Sequence, residues 1–386
     1  MNLKETVSPH WLAVALTLSA GLAGCGSSGS SESANVSALV TEIPVTRAAC
    51  TPFGDPPRPV EPLLDDLFSA TCTGGGGKNM DKWTDSEGNT RQACLYQPAA
   101  AATSHKLPLV VYLHPSLVGV DITLALSNIR SQLDTADLTG DPQRPGFILL
   151  APYGRVTARY YPLPDNFLGP GWDNWYRQMQ PNAEVREVNG QSWSENVDAA
   201  SIDHYLGEVL AQDKVDTTRI YVTGWSNGSA MGVLYSLNRP MVAAAAVYSA
   251  PDPLAAFNDP CEQTPVSGVP KDDTELQLLN PTVPIYHVHN ACDIAGLCPN
   301  SGRLQERLTA IGTPFWGQII DNLKQPTDQC EAICGTDPNA VPAGLADPLG
   351  YVEDLPGYTL GTYNHLTWPS GWMDDMFAFM REHPKQ

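Results

Sequence analysis

The segment Arg219–Ser229, with the sequence RIYVTGWSNGS, determines how the rest of the chain is interpreted. Residues Ile220–Thr223 are β-formers in one run, which predicts a short buried strand. A G-x-S-x-G motif centred on Ser226 follows, and a helix is predicted to start at Ser226 or Asn227 and to end near Leu237. A strand, this motif and a helix in succession are typical of a nucleophile elbow, in which the serine lies on a sharp, strained turn. Ser226 is therefore predicted to be a nucleophile, beside a helix N-terminus that favours developing negative charge.

Predicted strands and helices alternate along most of the chain. The strands are almost entirely apolar, which is typical of a parallel sheet that is covered on both faces. Besides the elbow strand, we expect strands at Leu107–Leu113, Gly146–Ala151, Ala243–Ser249, Thr282–His289 and Tyr358–Tyr363. Helices are expected at Asp121–Leu133, Glu195–Gln212, Gly302–Ile311 and Trp372–Arg381. The sequence thus predicts an α/β-hydrolase fold, with a mostly parallel central sheet, helices on both faces and disulfide-bearing loops.

A serine nucleophile needs a general base, which in this fold lies C-terminal to the serine. Four histidines follow Ser226, namely His287, His289, His365 and His383. The first two lie within a predicted strand and are expected to be structural, and the last is expected to be frayed at the C-terminus. His365, between the last predicted strand and the last helix, is the predicted base.

The base needs a carboxylate to orient it, and in this fold the carboxylate follows a strand beyond the elbow. Asp293 comes a few residues after the predicted strand Thr282–His289 and is the predicted acid. Asp252 follows the preceding strand and stays open as the alternative, because some proteins of this fold place the acid one strand earlier. We also expect a disulfide between Cys292 and Cys298 to brace the loop of Asp293.

A tetrahedral intermediate requires hydrogen-bond donors for its oxyanion. The first predicted donor is the backbone N–H of Asn227, the residue after the nucleophile. The second should come from the loop after the strand Leu107–Leu113. Pro115 has no N–H, so Ser116 is the predicted second donor.

Five segments resemble, in order, parts of the secreted polyhydroxyalkanoate-depolymerase and feruloyl-esterase-like branch of the α/β hydrolases: VVYLHPS, GWDNWYRQ, RIYVTGWSNGSAM, IYHVHNACD and NHLTWPSG. The resemblance implies a serine esterase with nucleophile Ser226, acid Asp293 and base His365. The chain departs from the family pattern in three places. Pro115 stands where the family usually has glycine, Leu366 is an extra residue after the base, and the irregular insertion 323–356 has no counterpart that we can match.

Aromatic residues are concentrated near the expected site. Trp172, Trp175, Tyr176 and Trp193 fall in one long loop between a strand and a helix, at the edge of the sheet where the site should lie. Trp172 and Trp175 could bind a sugar ring, a phenolic acyl group or a polyester chain, or could equally pack as the loop's own small core. Trp193 is expected to be packed. Trp225 and Trp368, close in sequence to Ser226 and His365, are further candidates for substrate contact.

The N-terminus has features of an export signal. An apolar run ends in Leu22-Ala23-Gly24-Cys25, which resembles a bacterial lipobox, and an almost pure Gly/Ser segment follows from Gly26 to Ser33. We expect residues 1–24 to be a lipoprotein signal peptide, Cys25 to be lipidated, residues 25–48 to be a tether and residues 49–386 to be the catalytic domain. The expected location is the bacterial cell surface or outer membrane. An ordinary secretory peptide with an incidental cysteine is the alternative.

The cysteine content and the net charge limit the classes of function that the chain can have. Of nine cysteines, eight remain beyond Cys25, an even number that suggests up to four disulfides in an exported protein. Cys292 with Cys298 and Cys330 with Cys334 are the pairs that can be suggested, and their spacing does not fit a zinc site. No metal or cofactor is predicted. The formal net charge of −20 argues against binding to nucleic acid or non-specific adsorption to anionic membranes.

Three functional hypotheses follow from the sequence. The first is a lipid-anchored serine esterase that acts on a polymer, either a polyhydroxyalkanoate-like polyester or the feruloyl or acetyl esters of plant polysaccharide. The second is a surface lipoprotein that keeps the fold as a non-catalytic binding module. The third is a serine peptidase of the same fold.

Overall fold

The computed structural model describes residues 71–72, 76–85, 88–102, 105–157, 169–172, 186–188, 191–193, 196–250, 253, 278–290, 297–320 and 365–386. These residues belong to one compact unit. Several predictions fall outside the described residues: Cys25 with its leader and tether, Asp252, Asp293, Trp175, Tyr176, Cys292, Cys330, Cys334, the insertion 323–356 and the strand Tyr358–Tyr363.

The described part of the chain contains an eight-stranded sheet. In chain order, its strands are β1 (Lys78–Asn79), β4 (Ala93–Tyr96), β5 (Leu107–Leu113), β6 (Ile148–Pro152), β11 (Val215–Trp225), β12 (Ala244–Tyr248), β13 (Ile285–Asn290) and β14 (Phe315–Ile320). Their spatial order is β1-β4-β6-β5-β11-β12-β13-β14. The strands from β6 to β14 run parallel to their neighbours, whereas β4 is antiparallel to both β1 and β6.

Three further strand pairs lie outside this sheet. They are β2 (Trp83–Thr84) with β3 (Thr90–Arg91), β7 (Arg155–Thr157) with β8 (Gly169–Gly171), and β9 (Arg186–Val188) with β10 (Gln191–Trp193). Each of these pairs is antiparallel. The β7–β8 pair follows β6 directly and lies close to the site described below.

Helices cover both faces of the large sheet. The helices are α1 (Val120–Ser127), α2 (Val197–Leu210), α3 (Asn227–Leu237), α4 (Leu297–Ala310) and α5 (Met373–Glu382). Alternate residues of the strands enter two separate apolar clusters, as the two-residue period of a strand requires. One cluster contains side chains from α2, α3 and α4, and the other contains side chains from α1 and α5. The predicted fold class, a mostly parallel α/β sheet between two helical layers, is confirmed.

The observed boundaries show where tertiary contacts override local sequence. The helix predicted to reach Leu133 ends at Ser127, because Asn128 adopts the left-handed conformation, and a 3₁₀ turn covers Ile129–Gln132. The elbow strand is longer than predicted, since Val215 already pairs with Leu107 before an irregularity in the ladder.

Two further expectations were wrong or incomplete. Strand β14 was not predicted, because Gly317 and Gln318 interrupt its apolar pattern. His383 is not frayed: its Nδ1 lies 2.7 Å from the Phe379 carbonyl oxygen, and its ring packs on the rings of Phe379 and Trp316.

A disulfide joins Cys72 to Cys94, the latter on β4. The sequence suggested disulfides but not this pairing, because the two cysteines are 22 residues apart. The bond attaches the segment before β1 to the antiparallel edge of the sheet.

Candidate active site

The backbone at Ser226 has the geometry of a strained elbow. Ser226 has φ 56° and ψ −121°, a region that L-residues rarely occupy. A Cβ atom added to Gly224 would lie 2.6 Å from the Gly228 carbonyl oxygen, and one added to Gly228 would lie 2.2 Å from the Leu113 carbonyl oxygen. Both glycines of the motif are therefore required by the close approach of three backbone segments, β5, β11 and α3.

Strand β12 also holds the turn at Ser226 in place, through hydrogen bonds. The Ser226 N–H donates to the Tyr248 carbonyl oxygen at 3.0 Å, and the Ser229 hydroxyl donates to the same oxygen at 2.6 Å. Helix α3 begins at Asn227, so its N-terminus directly follows the serine. The partial positive charge of that N-terminus favours an anion close to Ser226.

Ser226 and His365 are brought together from sites 139 residues apart in the chain. The Nε2 atom of His365 lies 2.9 Å from the Oγ atom of Ser226. This distance is within the range that proton transfer from a serine hydroxyl to a histidine base requires. The sequence predicted this pairing from chain order alone.

The predicted acids, Asp293 and Asp252, lie outside the described residues. The strands before them can be placed. Strand β12 ends at Tyr248 and β13 ends at Asn290, and both run parallel to β11, which carries the elbow. Both candidate acids therefore follow strands whose C-terminal ends lie at the same edge of the sheet as Ser226.

The loop after β5 is held by His114, which the sequence analysis did not single out. Its side chain is buried, its Nδ1 lies 2.7 Å from the Pro115 carbonyl oxygen, and its Nε2 accepts a hydrogen bond from the Gly154 N–H at 2.8 Å. Nδ1 must then carry the proton, because Nε2 acts as an acceptor. Burial lowers the pKa of His114 to about 4, so the ring is neutral at pH 7.

The loop continues through Ser116 and Leu117 to α1. Leu117 has φ 70°, and its N–H donates to the Pro170 carbonyl oxygen on β8 at 2.7 Å. The Ser116 hydroxyl oxygen is buried and has no hydrogen-bond partner in the part of the chain that the structure describes. The structure therefore has an ordered loop with a positive-φ residue at the position where the sequence predicts the second oxyanion donor.

Asn227 joins the start of α3 to the β7–β8 pair. Its side-chain Oδ1 accepts from the Trp172 N–H at 2.7 Å, and its Nδ2 donates to the Trp172 carbonyl oxygen at 3.1 Å. The Trp172 indole N–H in turn donates to the His114 carbonyl oxygen at 2.8 Å. The two segments predicted to supply the oxyanion donors are thus connected through one tryptophan.

Comparisons with known proteins give only distant likenesses. No protein-family profile and no curated protein matches the sequence. A thermostable esterase structure shares 18% identity at a TM-score of 0.44, over 80% of this chain and 64% of that one. An S-formylglutathione hydrolase from Agrobacterium tumefaciens shares 13% sequence identity at a TM-score of 0.45, over 81% of this chain and 97% of that one. A ferulic acid esterase shares 13% sequence identity at a TM-score of 0.41, over 64% of this chain and 90% of that one. Likenesses this distant assign no activity.

The feature that decides the fold is the elbow at Ser226, which follows the central strand β11 and leads directly into α3. The chain has the α/β-hydrolase fold. In this fold, Ser226 and the loops around it lie at the C-terminal edge of the parallel strands, where ligands bind in open α/β sheets.

Burial decides between the roles predicted for three tryptophans: Trp172 follows the packing alternative that the sequence left open, and the predicted substrate contact of Trp225 and Trp368 is contradicted. Trp172, Trp225 and Trp368 are 0%, 2% and 4% exposed, so none presents a ring surface to a substrate. Trp172 packs against the ring of His114, and Trp225 and Trp368 pack against each other. Exposure was inferred from position in a loop, but the contacts that bury these rings come from distant parts of the chain. The side chain of Trp193 lies outside the described residues.

His287 and His289 are buried in β13 with their rings 5.2 Å apart, as expected for structural residues. The Nε2 atom of His287 accepts from the Ala250 N–H at 3.0 Å, just beyond β12. Burial, with a smaller contribution from His289, holds the pKa of His287 well below its ordinary value. His287 thus stays neutral and positions the end of β12.

A buried ionic cluster lies next to the β7–β8 pair and was also missed. Asp198, in the first turn of α2, contacts the guanidinium groups of Arg91 and Arg155, and Arg91 also contacts Asp85. Two arginines thereby balance two aspartates inside the protein, which avoids the cost of an unpaired buried charge. Arg155 directly follows Gly154, so the cluster also fixes the residue that donates to His114.

Within the described ranges, no helix is both long and apolar enough to cross a membrane. In the same residues, no group of three or more histidine, cysteine, aspartate or glutamate side chains is placed to hold a metal ion.

Proposed function

We propose that this chain is a serine carboxylic-ester hydrolase that acts through an acyl-enzyme intermediate. The observation that carries the proposal is the 2.9 Å approach of His365 Nε2 to the hydroxyl of Ser226 at a strained elbow. Strained backbone at a serine that faces a histidine is the arrangement expected of an activated nucleophile.

In the proposed reaction, the Ser226 hydroxyl attacks the ester carbonyl carbon while His365 takes its proton. The tetrahedral intermediate then collapses, His365 returns the proton to the leaving alcohol, and Ser226 keeps the acyl group. Water, deprotonated by His365, attacks the acyl-enzyme and releases the acid. Asp293 is proposed to hold His365 in one tautomer and to stabilise the imidazolium.

The developing oxyanion is proposed to be bound by the backbone N–H groups of Asn227 and Ser116. Support comes from the position of Asn227 at the N-terminus of α3 and from the anchored loop around Ser116. The fixed loop means that the donors need no rearrangement when charge develops.

We propose an ester attached to a polymer as substrate, either a polyhydroxyalkanoate-like polyester or a feruloyl or acetyl ester of plant polysaccharide. This proposal rests on the sequence resemblance. A screen of short-chain esters, feruloyl esters, acetylated xylan and polyhydroxybutyrate would test it, and no turnover of any of the polymeric substrates would reject it. Lipidation at Cys25 and a location at the cell surface are proposed as well. An unacylated mature N-terminus, measured by mass spectrometry, would contradict that anchor.

The central test replaces Ser226 with alanine. Ser226→Ala should reduce p-nitrophenyl ester hydrolysis on the order of 10⁴-fold or more and abolish labelling by a fluorophosphonate. Ser236→Ala is a matched control, because Ser236 is a buried serine of α3 whose hydroxyl donates to the Gly232 carbonyl oxygen within the helix. Activity of Ser226→Ala near that of the wild type would end the proposal. A wild type that is inert to both reagents would favour a binding module, and cleavage of peptide anilides without esters would favour a peptidase.

The acid is tested by two asparagine variants. Asp293→Asn should lower kcat by about 10³–10⁴-fold, because the imidazole loses its orienting carboxylate. Asp252→Asn should have a far smaller effect. A large loss at Asp252 with near-normal turnover at Asp293 would move the acid one strand earlier.

A further inference from the structure

The backbone of His365 is held by the residue immediately before the nucleophile. The indole N–H of Trp225 donates to the His365 carbonyl oxygen at 2.8 Å. Trp225 is the last residue of β11, and its own peptide bond leads directly to Ser226. The hydroxyl of Ser226, the ring and carbonyl of His365 and the indole of Trp225 thus form a closed ring of contacts across the site.

The ring of Trp225 cannot move away from this position, because it is packed inside an aromatic cluster of Tyr112, Trp225, Tyr248 and Trp368. The Trp368 ring centroid lies 5.7 Å from that of Trp225, 5.7 Å from that of Tyr248 and 6.3 Å from that of Tyr112. The Trp225 and Tyr248 rings are 6.1 Å apart. Edge and tilted arrangements of this kind are favourable contacts between aromatic rings.

The same cluster contains a second tryptophan close to His365 in sequence. Trp368 lies three residues after His365, and its side chain is buried in the cluster. Its carbonyl oxygen accepts from the Ser370 N–H at 2.8 Å, at the start of the turn that leads into α5. Trp368 thus packs in the same cluster as Trp225, whereas the hydrogen bond to His365 itself comes from Trp225.

We propose that Trp225 is a positioning residue, whose indole N–H fixes the backbone of His365 so that the imidazole meets the Ser226 hydroxyl. This inference rests on the proposed function and assigns to Trp225 a role in place of the substrate contact that its burial excludes. It also gives the base an anchor that does not depend on the carboxylate partner.

Trp225 and Trp368 form a matched pair for testing this role. Both indoles are buried in one cluster, but the Trp368 indole nitrogen has no hydrogen-bond partner among the described residues. Substitution of either by phenylalanine removes the same atoms from the same apolar surroundings. Only Trp225→Phe also removes a hydrogen bond to the backbone of the base.

We expect Trp225→Phe to lower kcat for a p-nitrophenyl ester about 10-fold, with KM little changed, because misplacement of the base affects the transition state rather than substrate binding. The rate of fluorophosphonate labelling should fall in parallel. Trp368→Phe should change kcat less than about 2-fold, while both variants lower the melting temperature to a similar extent. Equal kcat values in the two variants, or an effect confined to KM, would overturn the proposal.

If Trp225→Phe does not fold, the wild type still gives an answer. The indole N–H signals of ¹⁵N-labelled protein would be compared before and after phosphonylation of Ser226. The Trp225 signal should shift more than that of Trp368, and an unchanged Trp225 signal would overturn the proposal. A wild type that neither hydrolyses the ester nor reacts with the phosphonate would instead reject the proposed function. An active wild type with equivalent variants would reject the role of Trp225 alone.

Discussion

At the scale of single residues, the space around Ser226 is set by backbone. The atoms that an added Cβ at Gly228 would meet are the carbonyl oxygens of Leu113 and His114, at 2.2 Å and 2.4 Å. Backbone oxygens cannot rotate away as a side chain can, so a substitution there has to displace β5 or α3. The positive φ of Ser226 adds backbone strain, and the tight packing around Gly228 keeps the turn in this strained conformation.

Gly228→Ala should therefore destabilise the fold by on the order of 2 kcal/mol or more and remove most activity. Gly207 provides the control, because it lies within α2 and an added Cβ would contact nothing within 4 Å. Gly207→Ala should stabilise the protein by about 0.5–1 kcal/mol. Urea unfolding of both variants measures the difference, and similar stabilities would contradict this account of the elbow.

At the scale of elements, the site is an assembly of loop ends joined by side-chain to backbone hydrogen bonds. The start of α3 is joined to the β7–β8 pair through Asn227 and Trp172, and β8 holds the loop after β5 through Leu117. Each of these contacts crosses between elements that are distant in sequence. The positions of the proposed oxyanion donors consequently depend on a small hairpin outside the main sheet.

Asn227→Ala tests this dependence. Loss of both bonds leaves the backbone N–H and carbonyl of Trp172 without their partners, so kcat should fall about 10-fold and the melting temperature should also fall. Asn238→Ala is the control, since Asn238 lies just beyond the other end of α3 and its side-chain amide donates to the Leu234 carbonyl oxygen within the same helix. The control should lose stability but not turnover. Equal kcat values in the two variants would show that the hairpin does not position the donors.

What the sequence could predict also differs by element. Strands such as β5 and β12, which are buried throughout, are evident from continuous apolar runs, and the elbow is evident from its motif. The ordering of Ser226 and His365 followed from the same motif. The burial of Trp172 and the role of His114 depend on contacts 40 to 58 residues apart, which no local pattern contains. Strand β14 was missed because an edge strand with an internal glycine has a weak pattern.

At the scale of the whole molecule, two buried histidines make stability depend on pH. His114 has a pKa lowered to about 4, and that of His287 is well below its ordinary value. Both bind protons more readily when the protein is unfolded, at a pKa of about 6.5. Stability is therefore greatest above pH 6.5 and falls as the pH decreases from 6.5 towards 4.

For His114 alone, a pKa change from 6.5 to about 4 corresponds to about 3 kcal/mol between pH 7 and pH 4. We expect the free energy of unfolding, measured by urea denaturation at several pH values, to fall across this range. His114→Gln should be less stable than the wild type at pH 7. It should lose less stability on acidification, because the group that titrates is gone. An equally steep decline in the variant would show that carboxylates or His287 alone account for the acid sensitivity.

The long sequence separation between Ser226 and His365 has a consequence for how the protein matures. The base lies in the last described segment, 365–386, after every strand of the described sheet has been synthesised. A nascent chain therefore contains Ser226 and the complete elbow strand long before it contains His365, the proposed base. Because contacts between distant segments form late, refolding should restore the sheet before it restores activity. If the chain is the proposed ester hydrolase, it is therefore inactive until its last described segment has been synthesised and has folded onto the elbow.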